Sequence, residues 1–177
     1  LGCFRPGHNS FFSSLVGRRI DKVLIAATKA DHLHHESHDR LERLTSRLVD
    51  RAIQRIGMSG AGLEVMAIAS IRATREARVK QDNHMLPVIV GTPIAGETIN
   101  GEHFDGIKTT AIFPGDLPDD PEQMFRTLDT DHPDLPDLNV VRFRPPLIEE
   151  RSSAATIAVP HIRLDRALQF LLGDRLA

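Results

Sequence analysis

Two short, mainly apolar runs bracket a longer segment of helical period, and this arrangement limits the fold more than any other feature of the chain. "IDKVLIAA" (20 to 27) and "LEVMAIA" (63 to 69) each read as a strand buried on both faces. Between them, "SHDRLERLTSRLVDRAIQRIGMSG" opens on a Ser or Asp cap. Apolar residues recur there at Leu41, Leu44, Leu48, Ala52 and Ile56, the inward face of one helix that Gly57 and Gly60 stop. Strand, helix and strand make an α/β layer. "SIRATREARV" then predicts a turn and a short helix, and "LPVIVGTP" (86 to 93) a third strand closed by Gly and Pro.

From residue 94 to 137 the texture changes to Gly, Pro and Asp, with β-like pieces at 107 to 113 and 139 to 144. We read residues 94 to 160 as an antiparallel β extension with long loops. Residues 161 to 177 give a closing helix whose stripe of Ile162, Ala167, Leu168, Leu171 and Leu172 packs back on the domain. Residues 1 to 93 then form the α/β portion.

Composition narrows the function. A formal charge of -2, with no Trp or Tyr and eight Phe, argues against a nucleic-acid surface built on basic charge and aromatic stacking. Cys3 stands alone, so neither an internal disulfide nor a multi-cysteine zinc cluster is expected. No apolar stretch approaches the ~18 residues of a membrane span. A cytoplasmic setting is the expectation.

The first run ends abruptly in Thr28-Lys29-Ala30-Asp31, at the strand end where open α/β sheets bind ligands. A carboxylate here can accept both N1–H and the 2-amino group of guanine in a fork. Adenine lacks that donor pair and would be disfavoured by roughly a few kcal/mol. The methylenes of Lys29 can lie along the base. The plain alternative is a charged turn between two elements. The second run ends at Ala69-Ser70, with Ile71 following; a small residue and a backbone N–H there could bind the guanine carbonyl and brace the base-reading loop. The plain reading, compatible with it, is that Ser70 caps the following helix.

His32, His34, His35, His38 and Glu36 follow. His34 and His38 are spaced to share a helix face, but "HHESH" is not HExxH and no further ligand announces itself. No metal site is expected, and the histidines read as a polar rim above a helix start. Asp105, the group Asp116, Asp119 and Asp120, and the pair Asp129 and Asp131 read as turn residues. Arg142 and Arg144 alternate on what reads as a solvated strand face. Nowhere in the 177 residues is there a GxxxxGK[ST] loop to cradle β- and γ-phosphates and hold magnesium. This chain alone should not hydrolyse GTP.

The segments "ATKADHLHHESHDRLERLTSRLVDRAI", "AIASIRATREA", "LPVIVGTP", "GEHFDG", "AIFPGDLPDDP", "RFRPP" and "PHIRLDRALQFLLGDRLA" together resemble the YcjX-like family of bacterial P-loop NTPases. The resemblance implies the C-terminal part of a three-layer α/β/α P-loop domain, with the phosphate loop and magnesium site upstream of this segment. It places Lys29 and Asp31 in the guanine-specificity motif, with Thr28 where small GTPases usually carry asparagine, and Ser70 and Ile71 in the last base-contacting loop. Thr28 keeps a hydroxyl but loses the amide's second handle, so guanine preference is expected to be less strict. The implied ligand is GTP or GDP, with Mg2+ bound only in the full-length parent. The parent is implied to be a GTPase-like protein, or an ATPase, and the piece inactive. The competing expectation is a non-enzymatic regulatory or interaction module of a stress-related protein, worked by the β extension. The sequence names no protein partner. A sheet lacking its first strands would expose an edge and an apolar face, so poor solubility is expected of these residues alone.

Overall fold

A computed structural model describes residues 20–128, 138–146 and 159–176. Their architecture is mixed α/β. Strand β1 (Lys22–Ala27) and strand β2 (Gly62–Ala67) pair in parallel, with Lys22 opposite Gly62 and Ala27 opposite Ala67. After β1 the chain makes two short 3-10 turns, Ala30–His32 and His35–Ser37, before entering the crossover helices.

The expected single helix is two: α1 (His38–Leu48) and α2 (Asp50–Ser59). Val49 leaves helical geometry, with φ -108 and ψ 16. A β-branched residue fits a helix poorly, and Asp50 is suited to a new helix start. Asp50 accepts from Gln54 one turn on, Nε2 to Oδ2 2.8 Å. Gly57 lies inside α2; the stop is Gly60, at φ 74 in the left-handed region that glycine enters without penalty. Helix α1 packs on both parallel strands and α2 on β2.

The helix expected within "SIRATREARV" is instead strand β3 (Arg75–Gln81), paired antiparallel with β4 (His84–Gly91). The deciding signal is Asp82-Asn83, both at positive φ (44 and 73). Such a pair forms the tight hairpin turn whose twist matches its strands. Strand β4 is the expected third strand, but it belongs to a separate antiparallel sheet ordered β3-β4-β7, where β7 is Thr110–Ile112. That sheet draws its strands from both sides of residue 93. A small hairpin, β5 (Thr98–Ile99) with β6 (Glu102–His103), lies between β4 and β7.

The expected β piece at 139 to 144 is an extended segment against 92 to 94, tied by Ile94 N to Arg142 O (2.9 Å) and Arg144 N to Thr92 O (2.8 Å). Helix α3 (Pro121–Leu128) occupies a stretch read as loop. Pro121 suits a first helical position, and the Asp120 carboxylate accepts from Glu122 N at 3.0 Å. Helix α4 (Leu164–Leu176) closes the described chain. Its Ala167 is buried, but Leu168 and Leu172 are exposed, so the expected apolar stripe is only partly used. The helix is tied to the start of β1 by Lys22 with Asp174 and to the residue before it by Arg175 with Asp21. Parts of the expected extension (129–137 and 147–158) and residues 1–19, with Cys3, lie outside the described residues, as do Asp129 and Asp131. No described helix is long and apolar enough to cross a membrane.

Candidate functional site

The parallel pair brings two loops side by side. Ile68 N donates to Ala27 O at 2.9 Å, and Ala30 N returns to Ile68 O at 3.0 Å. The Thr28–Asp31 loop is thereby stitched to the chain leaving β2. Lys29 takes a left-handed conformation, φ 62, that only a few per cent of non-glycine residues adopt, and its side chain is exposed. Ala30 behind it is fully buried.

Asp31 does not stand open as a two-pronged acceptor. It is only 4% exposed, and its Oδ2 accepts from Ala73 N at 2.8 Å. The Asp31 carbonyl accepts from the Thr74 hydroxyl. Among the described residues no hydrogen bond engages Oδ1. Ser70 and Ile71 are both exposed on the neighbouring loop, and no described backbone carbonyl takes their N–H groups. No helix follows Ser70, so the capping alternative falls. Thr28 and Lys29 project from one loop, Ser70 and Ile71 from the next.

Below the loop, histidines do structural work. His38 is buried, and its Nε2 donates to Ala30 O at 2.9 Å. Burial pushes the His38 imidazole below its ordinary range, partly offset by that carbonyl. His34 is buried as well, and burial again lowers it. Of the four histidines expected as a polar rim, His34 and His38 are covered, His32 is half-buried and His35 is exposed. His32 meets the Phe143 ring edge-on, with centroids 5.4 Å apart at 89°. His34 and His38 do not share a helix face, because His34 precedes α1 and His38 turns to Ala30.

Sequence reasoning missed Glu42. From α1 its Oε1 accepts from Ala67 N at 2.8 Å and from Arg163, holding the end of β2 and the approach to α4 together. A glutamate on an otherwise arginine-rich helix was the available signal. It also missed Ala73 and Thr74 as the clamps on Asp31. The carboxylates read as turn residues behave so in part. Asp105 Oδ1 accepts from Lys108 N and Ile107 N, and these hold its carboxyl below the usual range. Asp119, however, pairs with Arg40 of α1 at 2.7 Å.

The other face of the 72–75 segment lines a cleft of about 740 Å³. Arg72, Arg75 and Arg144 enter it with Thr74, Thr92 and Thr109, and no lining residue is acidic. Arg72 is partly committed, to Thr74 O (2.9 Å) and Glu76 (3.1 Å), and Arg144 to Gly106 O (2.9 Å). Arg142, expected on the same solvated face, is bound by Glu97.

The chain matches the model of the YcjX-like family, DUF463, over residues 1–176. It is 30% identical over 174 residues to a protein of Escherichia coli (strain K12) named Ras-like GTPase YcjX, covering 98% of this chain and 33% of that protein. A protein of the same name from Shewanella oneidensis is 29% identical over 173 residues, covering 98% of this chain and 32% of its own length. The chain thus spans about a third of the length of these relatives.

Proposed function

From the premise that the chain belongs to the YcjX-like family, we propose that it carries the guanine-recognising part of a nucleotide site whose phosphate-binding part lies elsewhere in a longer protein. The observation that carries this reading is the pairing of Thr28-Lys29-Ala30-Asp31 with the Ser70-Ile71 loop across the carboxyl ends of two adjacent parallel strands. A purine could lie between them, flanked by the Lys29 methylenes, with Asp31 Oδ1 taking a base donor and the Ser70 or Ile71 N–H facing the guanine carbonyl. The strained left-handed backbone of Lys29 suits a loop shaped for a ligand. Ala73 fixes the other carboxylate oxygen, so Asp31 would read with one prong at full strength and the second shared. That sharing, with Thr28 in place of asparagine, fits a guanine preference that is less than strict.

GTP, GDP and Mg2+ are the ligands this reading implies for the full-length protein. The sequence holds no GxxxxGK[ST] motif, so we assign this chain's part to the base, and triphosphate hydrolysis would require a phosphate loop from elsewhere in a longer protein. The test is a calorimetric titration of GDP, ADP and XDP into the full-length protein and its Asp31→Asn variant. GDP is expected to bind at least tenfold more tightly than ADP, and the variant to shift preference toward XDP. Equal GDP and ADP binding that ignores the substitution would reduce the tetrapeptide to a turn.

A second reading rests on the arginine-lined cleft. A regulatory or interaction module would use that face, and nucleotide would be irrelevant to it. It is favoured if substitutions at Arg75 and Arg144 abolish a cellular phenotype that Asp31→Asn leaves intact.

A further inference from the structure

Two glutamates in this molecule are each placed between an arginine and a histidine. Glu36, in the second 3-10 turn, gives Oε1 to Arg78, and its Oε2 lies 4.0 Å from His34 Nδ1. Glu76, on β3, gives Oε1 to Arg72 at 3.1 Å, and its Oε2 lies 2.5 Å from His35 Nδ1. Each carboxylate is thus oriented from behind by a guanidinium and presents its other oxygen to a histidine. The imidazoles of His34 and His35 stack obliquely, with centroids 4.3 Å apart. One ligand atom from each of His34, His35 and Glu36 falls within a 4.8 Å span.

We propose that His34, His35, Glu36 and Glu76 bind one tetrahedral divalent metal ion of the zinc type, clamping the turn that follows the Thr28–Asp31 loop to strand β3. Bonds of ~2.0–2.2 Å to nitrogen and oxygen put the ligand atoms of such a site about 3.3 Å apart. The two observed nitrogen–oxygen separations, 4.0 Å and 2.5 Å, lie on either side of that value. His35 and Glu36 are exposed, and Glu76, outside the 4.8 Å group of the other three, joins the set through its contact with His35, whose Nδ1 would give up its proton to the metal. His34 Nδ1 accepts from Glu36 N at the weak distance of 3.5 Å. That nitrogen therefore carries a lone pair, as a metal ligand must, and loses little by turning it to a cation. Arg72 and Arg78 supply the outer hydrogen bonds that orient ligating carboxylates. Four protein ligands leave no open position, which makes the site structural.

The ligand set differs from the spacing that the sequence suggested. His38, four residues after His34, is committed to Ala30 O and takes no part. The clamp also stands apart from base recognition, since none of its four residues belongs to the two base loops.

The experiment titrates zinc into EDTA-stripped protein against a chromophoric chelator, with cobalt as a spectroscopic substitute. One zinc per chain is expected, along with the intense visible absorption of tetrahedral cobalt. His35→Ala and Glu76→Gln should each weaken binding by at least tenfold, whereas His84→Ala, at the exposed start of β4, should not. His35 is exposed, and Gln matches Glu in shape, so both variants keep the fold; their thermal melts without metal check it. Absence of zinc binding overturns the proposal. So does binding that survives either substitution, or a cobalt spectrum of octahedral type.

Discussion

The two halves of this molecule are held together by opposite means. Around the antiparallel sheet the core is bulky: Ile89, Phe104, Ile112, Val141 and Phe143 close on one another. Behind the Thr28–Asp31 loop the core is Ala30, Ala67, Ala69 and Ile162, with Leu41 against it. Alanines bury little apolar area, so shape there comes from directed bonds: Asp31 to Ala73, His38 to Ala30, Glu42 to Ala67. Bulk gives stability without fixing a backbone atom closely, and polar clamps do the reverse. The halves meet where His32 abuts Phe143 and where Asp31 grips Ala73 and Thr74. The precise region is thus mounted on the stable one.

The comparison breaks first at Phe143. Phe143→Ala should cost about 3–5 kcal/mol of stability, the usual loss for a truncated core aromatic. It would also remove the edge contact with His32. Urea unfolding of the protein reads this directly. A loss below ~1 kcal/mol would mean that the antiparallel core is not the anchor. Gly91 sharpens the point, since a Cβ built there stands 2.6 Å from Phe143 Cδ1. Gly91→Ala should therefore be destabilising in the wild-type background and largely rescued in Phe143→Ala, the signature of two coupled neighbours.

A smaller and more local loss is expected at the clamp. Asp31→Ala leaves the Ala73 N–H without its carboxylate and should cost about 1–3 kcal/mol. Asp31→Asn keeps an amide oxygen that can accept the same bond and should cost less. Hydrogen exchange at the Ala73 amide separates the two, with protection lost in Asp31→Ala and retained in Asp31→Asn. Equal protection in both would show that the 72–74 segment is held by other contacts, such as Arg72 N on Pro160 O (2.7 Å).

The same contrast explains what could be read from the sequence. The two strands, the helical stretch between them and the loop at the end of β1 are local patterns, set by apolar runs and periods, and legible in the order of residues. The break at Val49 and the half-burial of β1 and β2, expected to be covered on both faces, were not. What the loop touches was not. Ala73 lies 42 residues from Asp31, and Thr74, 43 residues away, is an ordinary Thr in sequence. Glu42 likewise looks like any solvent-facing glutamate until Ala67 and Arg163 are seen beside it. A carboxylate that appeared free to grip a base proved half engaged, because backbone N–H donors leave no mark in a sequence. The β3 error had a different source. "SIRATREARV" has acceptable helix formers throughout, and only the turn after it decides for a strand. Asp120 and Pro121 sit in a stretch that reads as loop, although Asp120, accepting from Glu122 N, and Pro121 at the first helical position begin α3.

That turn supplies the finest probe of the stable half. Asp82 and Asn83 both hold positive φ, a state that costs an L-residue about 1–2 kcal/mol and that asparagine tolerates better than most. Glycine at position 83 would remove the steric cost while adding ~0.5–1 kcal/mol of unfolded-chain entropy. The two terms nearly cancel, so Asn83→Gly should change stability by less than about 1 kcal/mol, on the stabilising side. Asn83→Val, by contrast, puts a β-branched side chain where positive φ is a true outlier and should destabilise the β3–β4 hairpin clearly. If the hairpin carries the bulky core as a unit, the Asn83→Val loss will appear in global unfolding and not only at the turn. A loss confined to the exchange of turn amides would divide the antiparallel half in two, with Ile89 and Phe143 holding their core whether or not the hairpin end is closed.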